Sequence, residues 1–233
     1  MPEKQIAYSI VIPVYNEEDS LEPLLGELLQ VMTPLNRPYE IIFVNDGSSD
    51  QSPCILKDFK AQFPEVIRLV NLPQRRGQTF CLREGLHAAR GDAIITLDAD
   101  LQNDPADIPL LLKKMDEGYD CVCGWRRARR DTLVKAGFSK LGNVLQRLCT
   151  GTSIHDVSCT LRIYKRACAD KIALNWEGQH RFIPLSLSLQ GCRVGEIVSH
   201  HRPRRFGTTK YSHKRILRVV KNFFKIWKTK GAG

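Results

Sequence analysis

Ala93-Ile94-Ile95-Thr96-Leu97-Asp98-Ala99-Asp100-Leu101-Gln102 is the stretch from which the fold of this chain can be read. Its first half is a strand-like apolar run. Its second half sets two carboxylates and an amide where that run stops, just before the helix-opening Asn103-Asp104-Pro105. A strand end that projects two carboxylates and an amide oxygen into a crevice suits a hard divalent cation, which can in turn carry a substrate phosphate. The pattern points to nucleotide-diphosphate chemistry.

Working outward, strand and helix patterns alternate. Tyr8 to Val14 has a buried-strand pattern that stops at Tyr15-Asn16-Glu17-Glu18, and Leu21, Leu24, Leu25, Leu28 and Leu29 then recur at helical spacing. Strands follow at Glu40 to Val44, Val66 to Asn71, Ala93 to Leu97 and Asp120 to Cys123. Helices are expected at Ser52 to Phe63, Gln78 to Ala89 and Ala106 to Glu117. This order predicts an α/β layer fold with a mainly parallel sheet flanked by helices. No GxGxxG follows the first strand and no GxxxxGK[ST] occurs, which disfavours a dinucleotide-type site and a P-loop.

The 233 residues, 42% of them hydrophobic, suffice for one large core. Charge is unevenly placed: residues 1–201 carry 24 Lys/Arg against 25 Asp/Glu, whereas residues 202–233 carry 11 Lys/Arg and no acid. The whole excess of +10 is therefore terminal, which calls for an anionic partner at that end. The eight cysteines have no CxxC pair or framework spacing and read as reduced thiols, with Cys121 and Cys123 on one strand face.

In parallel sheets ligands bind beyond the carboxyl ends of the strands. Three such ends are distinctive here: Pro13-Val14-Tyr15-Asn16-Glu17, Asn45-Asp46-Gly47-Ser48-Ser49-Asp50 and Asp98-Ala99-Asp100-Leu101-Gln102. Asp46 can accept hydrogen bonds from a base or ribose, Gly47 permits close backbone approach, and Tyr15 offers a flat face for a base.

The ordered set IVIPVYNEE, IIFVNDGSSD, RRGQTFCLREGL, ITLDADLQNDP, GWRRARRD, SKLGN, IHDVSCTLRIYKR and RRFGTTKYS resembles the inverting GT-A glycosyltransferases of family 2. Within that family it is most similar to the dolichol-phosphate mannose synthase and bacterial polyprenyl-phosphate hexosyltransferase branch, over residues 8–213. The resemblance implies a Rossmann-like GT-A domain, a UDP- or GDP-sugar donor, a Mg²⁺ or Mn²⁺ ion and inversion at the anomeric carbon. By position it implies Asp98, Asp100 and Gln102 as metal ligands, with Pro13, Tyr15, Glu17 and Asp46, beside the two aspartates, as donor contacts. It also implies acceptor-phosphate arginines at Arg126 to Arg130 and an Arg-x-x-Gly-x-x-Lys loop at Arg204, Gly207 and Lys210. Two departures stand out: Thr209 replaces the usual Ser before Lys210, and Trp125 intervenes between Gly124 and Arg126.

A lipid monophosphate acceptor attacks through an oxygen already ionised at neutral pH, so no strong base is needed. Cations that hold two repelling phosphates together are needed instead. Arg126, Arg127, Arg129 and Arg130, with Arg204, Arg205 and Lys210, supply them. A hydroxyl acceptor, soluble or polysaccharide, would require a base, for which Asp156 is the candidate. Ser139 and Asn143 match the family's Ser-x-x-x-Asn positions and are secondary candidates.

The expected organisation is a catalytic domain over residues 1–212 and a basic amphipathic helix over 213–233. In that tail Ile216, Val219, Val220, Phe223, Ile226 and Trp227 share one stripe, opposite Lys214, Arg215, Arg218, Lys221, Lys225 and Lys228. Such a helix suits a membrane interface, where each basic group near an anionic leaflet contributes about 1 kcal/mol. With no secretory leader and no apolar run of spanning length, the sequence predicts a peripheral protein on the cytoplasmic face, or one relying on a separate membrane-anchoring partner. A nucleic-acid binder would explain the basic terminus but leaves Asp46, Asp98 and Asp100 without a purpose. No nucleic acid beyond the nucleotide donor is expected.

Overall fold

The computed structural model describes residues 5–127 and 154–203. A seven-stranded sheet comprises β1 (Tyr8–Val14), β2 (Tyr39–Asn45), β3 (Ile67–Asn71), β4 (Ala93–Thr96), β5 (Cys121–Trp125), β6 (Arg162–Lys165) and β7 (Val194–Val198). The spatial order is β3-β2-β1-β4-β6-β5-β7. All neighbours run parallel except β6, which is antiparallel to both β4 and β5. Helices α1 (Glu18–Met32), α2 (Ser52–Gln62), α3 (Gln78–Ala88), α4 (Ile108–Asp116), α5 (Arg166–Ala169) and α6 (Ile183–Leu189) complete the described domain.

Alternation along each strand divides the core in two. Ile10, Ile12, Val14, Ile41 and Phe43 point to one face, where Leu21, Leu24 and Leu28 of α1, Leu56 of α2 and Leu111 of α4 cover them. Val11, Ile42, Val44 and Ile94 point to the other face, against Cys81, Leu82 and Leu86 of α3 and Ile183 and Leu187 of α6. Both faces are buried, which is why the strands read as continuous apolar runs. Pro13 fits within β1 because it faces the β4 side, and β4 ends its pairing at Thr96, opposite Val11.

The expected elements through Cys123 are present, with one change: Ala106 to Glu117 divides into a 3₁₀ turn at Pro105–Asp107 and α4. The Asp104 side chain caps that turn by accepting from the Ala106 amide at 3.0 Å. Among the described residues the seven cysteines are free thiols, and Cys121 and Cys123 share a face with their sulfurs 3.9 Å apart. No described helix is long and apolar enough to cross a membrane. The tail helix expected over 213–233, and with it the boundary after residue 212, lies outside the described residues.

Candidate active site

Three loops meet at the carboxyl ends of β1, β2 and β4. The first two are stitched together by their own polar side chains. The Asn16 and Glu17 amides donate to the Ser48 and Ser52 hydroxyls at 3.1 and 3.0 Å, while Asn16 Oδ1 accepts from the Ser49 amide at 2.8 Å. Asp46 is 4% exposed and accepts from the amides of Arg76, at 2.6 Å, and Gly77, at 2.9 Å. Its carboxylate thus pins the loop that follows β3 onto the end of β2. Gly47, at φ +65°, lies under that loop, where a Cβ would come within 3.0 Å of the Arg75 amide nitrogen. The Arg75 guanidinium in turn stacks 4.0 Å over the Tyr15 ring, on the aromatic surface expected to meet a base.

At the end of β4, Asp98 receives Gln78 Nε2 at 2.6 Å on one oxygen and Thr160 Oγ at 2.8 Å on the other. Asp100 is 8% exposed, and its Oδ1 accepts from the Gln102 amide at 3.2 Å across a turn that puts Leu101 at φ +60°. A non-glycine residue in the left-handed region costs roughly 1–2 kcal/mol, so the surrounding packing must hold this turn. Burial and the neighbouring Asp100 charge push the Asp98 carboxyl up to about 6. A buried carboxylate whose ionisation is opposed by a second carboxylate beside it fits a divalent cation, which would relieve the repulsion. The last described residues close over this turn: the Arg202 amide donates to the Gln102 carbonyl at 2.9 Å, and its guanidinium pairs with Glu27 and Asp104 at 2.8 Å each.

Beyond β5, Arg126 and Asp156 make a bidentate pair, with Nε to Oδ2 at 2.6 Å and Nη2 to Oδ1 at 2.9 Å; Nη2 also donates to Ser158 Oγ at 2.8 Å. Burial alone would raise Asp156, but Arg126 and Ser158 outweigh it and hold the carboxyl below its ordinary value. Glu196 on β7 fixes the same loop by accepting from the amides of His155, at 2.7 Å, and Asp156, at 2.9 Å. Trp125, the insertion noted in the sequence, stacks on His155 with ring centroids 4.2 Å apart.

One further side chain reaches this area from the 3₁₀ turn Gln179–Phe182: the charge of Arg181, like that of Arg126, lowers Asp98. The turn is tied to the start of α3, where Thr79 Oγ lies 2.6 Å from His180 Nδ1 and the Thr79 amide donates to Glu177 at 3.1 Å. Pro13, Tyr15, Glu17, Asp46, Asp98, Asp100 and Gln102 therefore stand at the carboxyl ends of the adjoining strands β1, β2 and β4, and Arg126, held by Asp156, is near enough for its charge to favour ionised Asp98. Arg130, Arg204 and Lys210, with Ser139 and Asn143, lie outside the described residues. Sequence reasoning did not single out Gln78, Thr160, Arg181 or Glu196. Gly178-Gln179-His180-Arg181-Phe182, a polar turn ahead of an apolar helix, carried only a weak signal.

Solved structures share the fold at low identity. Glucosyl-3-phosphoglycerate synthase from Mycobacterium tuberculosis, in complex with Mn²⁺, UDP-glucose and phosphoglyceric acid, matches with a TM-score of 0.69 at 19% identity, over 96% of this chain and 80% of its own. A mannosyltransferase from Pyrobaculum calidifontis, in complex with GDP-mannose and Mn²⁺, matches with a TM-score of 0.69 at 20% identity, over 96% and 65%. The undecaprenyl-phosphate 4-deoxy-4-formamido-L-arabinose transferase of Klebsiella pneumoniae is 40% identical over 212 residues, which is 91% of this chain. The chain spans 64% of the length of that relative. Residues 9–173 match glycosyl transferase family 2, and the chain belongs to that family.

Proposed function

We propose that this chain transfers a hexose or related sugar from a UDP- or GDP-sugar to a polyprenyl phosphate of the undecaprenyl or dolichyl kind, with inversion at the anomeric carbon. The observation that carries this reading is the commitment of Asp156 to Arg126. The carboxylate that could have served as base has both oxygens taken up by Arg126 and its proton affinity lowered, which makes it a poor base, and a phosphate acceptor needs none. The 40% identity to a transferase named for undecaprenyl phosphate supports the same acceptor.

In this reading Pro13, Tyr15, Glu17 and Asp46 line the nucleotide. Asp98, Asp100 and Gln102 would hold a Mg²⁺ or Mn²⁺ ion, which supplies positive charge to the departing diphosphate. The acceptor oxygen attacks the anomeric carbon opposite the bond to the diphosphate. That bond breaks with its electron pair leaving on the nucleoside diphosphate. Arg126 and Arg181 offset the repulsion between the two phosphates, a role that the family resemblance extends to Arg130, Arg204 and Lys210. The basic residues 213–233 would lie on the cytoplasmic leaflet, leaving a peripheral enzyme that works alone or with a separate anchoring protein.

The test is product formation from a panel of UDP- and GDP-sugars with a short polyprenyl phosphate, with Mn²⁺, with Mg²⁺ and with chelator. A metal-dependent, chloroform-extractable sugar phospholipid is expected. Donor turnover with glycosylation of a soluble or polysaccharide hydroxyl, and none of the lipid, would transfer the assignment to that acceptor class.

A further inference from the structure

Arg162 opens β6, the strand that runs against its neighbours, and is 1% exposed. Its guanidinium has no carboxylate partner among the described residues. Nη2 donates to the Val157 carbonyl at 2.8 Å and Nη1 to the His180 carbonyl at 2.9 Å, with a longer contact to the Tyr164 hydroxyl at 3.4 Å. Nε is buried with no acceptor among the described residues. A buried cation satisfied mainly by main-chain carbonyls is an expensive feature, because desolvation is offset without an opposite charge. An apolar residue would fill the same core space at lower cost, which directs attention to what the two carbonyls belong to.

Val157 directly follows Asp156, the partner of Arg126, and His180 directly precedes Arg181. Arg126, gripped by Asp156, and Arg181 are thus oriented or carried by two segments that one side chain ties together. His180 also reaches Thr79, the neighbour of Gln78, whose amide donates to Asp98. The guanidinium is planar and forked, so it fixes the separation of two carbonyls in a way that an ammonium does not.

We infer that Arg162 is a positioning residue: it locks the Asp156–Ser158 loop to the Gln179–Phe182 turn and so sets the position of Arg126, held by that loop, relative to Arg181, carried on that turn. It touches neither substrate. This rests on the transferase reading above, in which those guanidiniums hold the acceptor phosphate against the donor. The lock should matter to the step in which the phosphates meet and little to donor binding, which uses the loops after β1, β2 and β4.

The experiment uses Arg162→Lys, which keeps charge but not the fork, and Arg162→Met, which fills the space without charge. Three quantities are read on the full chain: calorimetric affinity for UDP and GDP with Mn²⁺, kcat and KM for the lipid phosphate, and hydrogen exchange. For Arg162→Lys we expect nucleotide affinity within about twofold of wild type, kcat lowered at least tenfold, and faster exchange at 155–158 and 178–182 together, with β1 to β4 unchanged. Wild-type kcat and KM in Arg162→Lys would overturn the inference. So would loss of protection at one segment alone, or global unfolding of both variants, which would make the residue a general requirement of the core. If wild type itself never glycosylates the lipid phosphate, the acceptor assignment falls, and the paired exchange response still decides whether Arg162 couples the two segments.

Discussion

Arg126 and Asp156 hold each other face to face, 2.6 and 2.9 Å apart across two parallel hydrogen bonds, with side chains only 12% and 13% exposed. The pair commits the candidate base to holding the Arg126 guanidinium in place. Exposed ion pairs contribute about 0–1 kcal/mol, whereas breaking a buried pair costs about 3–5 kcal/mol, so this pair should lie between those limits. Asp156→Asn is expected to lower unfolding free energy by about 2 kcal/mol in denaturant titrations. Arg126→Lys, which keeps the charge but loses the fork, should retain more of that stability yet lower turnover at least tenfold. A stable Asp156→Asn enzyme with normal turnover would show that the anchor is dispensable.

Asp100 raises Asp98, so Asp100→Asn should separate function from stability. With the repelling charge gone, thermal stability without metal is expected to be equal to or above wild type. Mn²⁺-dependent affinity for the nucleoside diphosphate should fall on the order of 100-fold, as seen when metal sites lose support. Calorimetry with and without chelator reads both. Undiminished metal-dependent binding would remove Asp100 from the site.

Glu40 is a buried carboxylate between Arg68 and Arg90, paired at 3.2 and 3.1 Å. Burial alone would raise it, but bonds from Ser9, the Arg90 amide and Arg68, with the Arg90 charge, bring it below its ordinary 4.5. Because the folded value is the lower one, the stabilisation is full above pH 4.5 and is lost as pH falls through the depressed value. The stability gap between wild type and Glu40→Gln should therefore be constant from pH 7 to about 5 and shrink at lower pH. A gap that widens on acidification would contradict the assigned sign.

Arg202 bridges Glu27 and Asp104 while its amide meets Gln102, so it anchors the chain where Arg204 follows. Arg202→Ala is expected to cost only about 1 kcal/mol in stability, since the ion pairs are partly exposed. If the acceptor is the proposed lipid phosphate, its KM should rise several-fold while KM for the sugar nucleotide stays unchanged. Equal effects on both substrates would place the anchor's influence on the donor side instead.

The strands and helices through Cys123 were legible because each carries its own period: continuous apolar runs for strands buried on both faces, and 3.6-residue spacing for helices such as α1. The polar strand ends were legible for a related reason, since Asp46, Asp98 and Asp100 interrupt apolar runs at positions where a parallel sheet opens its crevice. Asp46 was only half read. Its acidic character was evident, but its hold on the Arg76 and Gly77 amides depends on a loop 30 residues away in sequence. Arg181 and Glu196 were missed because a single charge on a short turn or edge strand carries no periodic signal.

By itself the sequence determined the layered α/β architecture, the acidic strand ends and the family, because these rest on local patterns and ordered motifs. Tertiary structure decided which charges meet. The antiparallel insertion of β6 between β4 and β5 places Arg162 against the Val157 and His180 carbonyls, and so ties the segment that holds Arg126 to the turn that carries Arg181. Pairing of residues distant in the chain is fixed by strand order and packing geometry, which no local stretch of this sequence encodes.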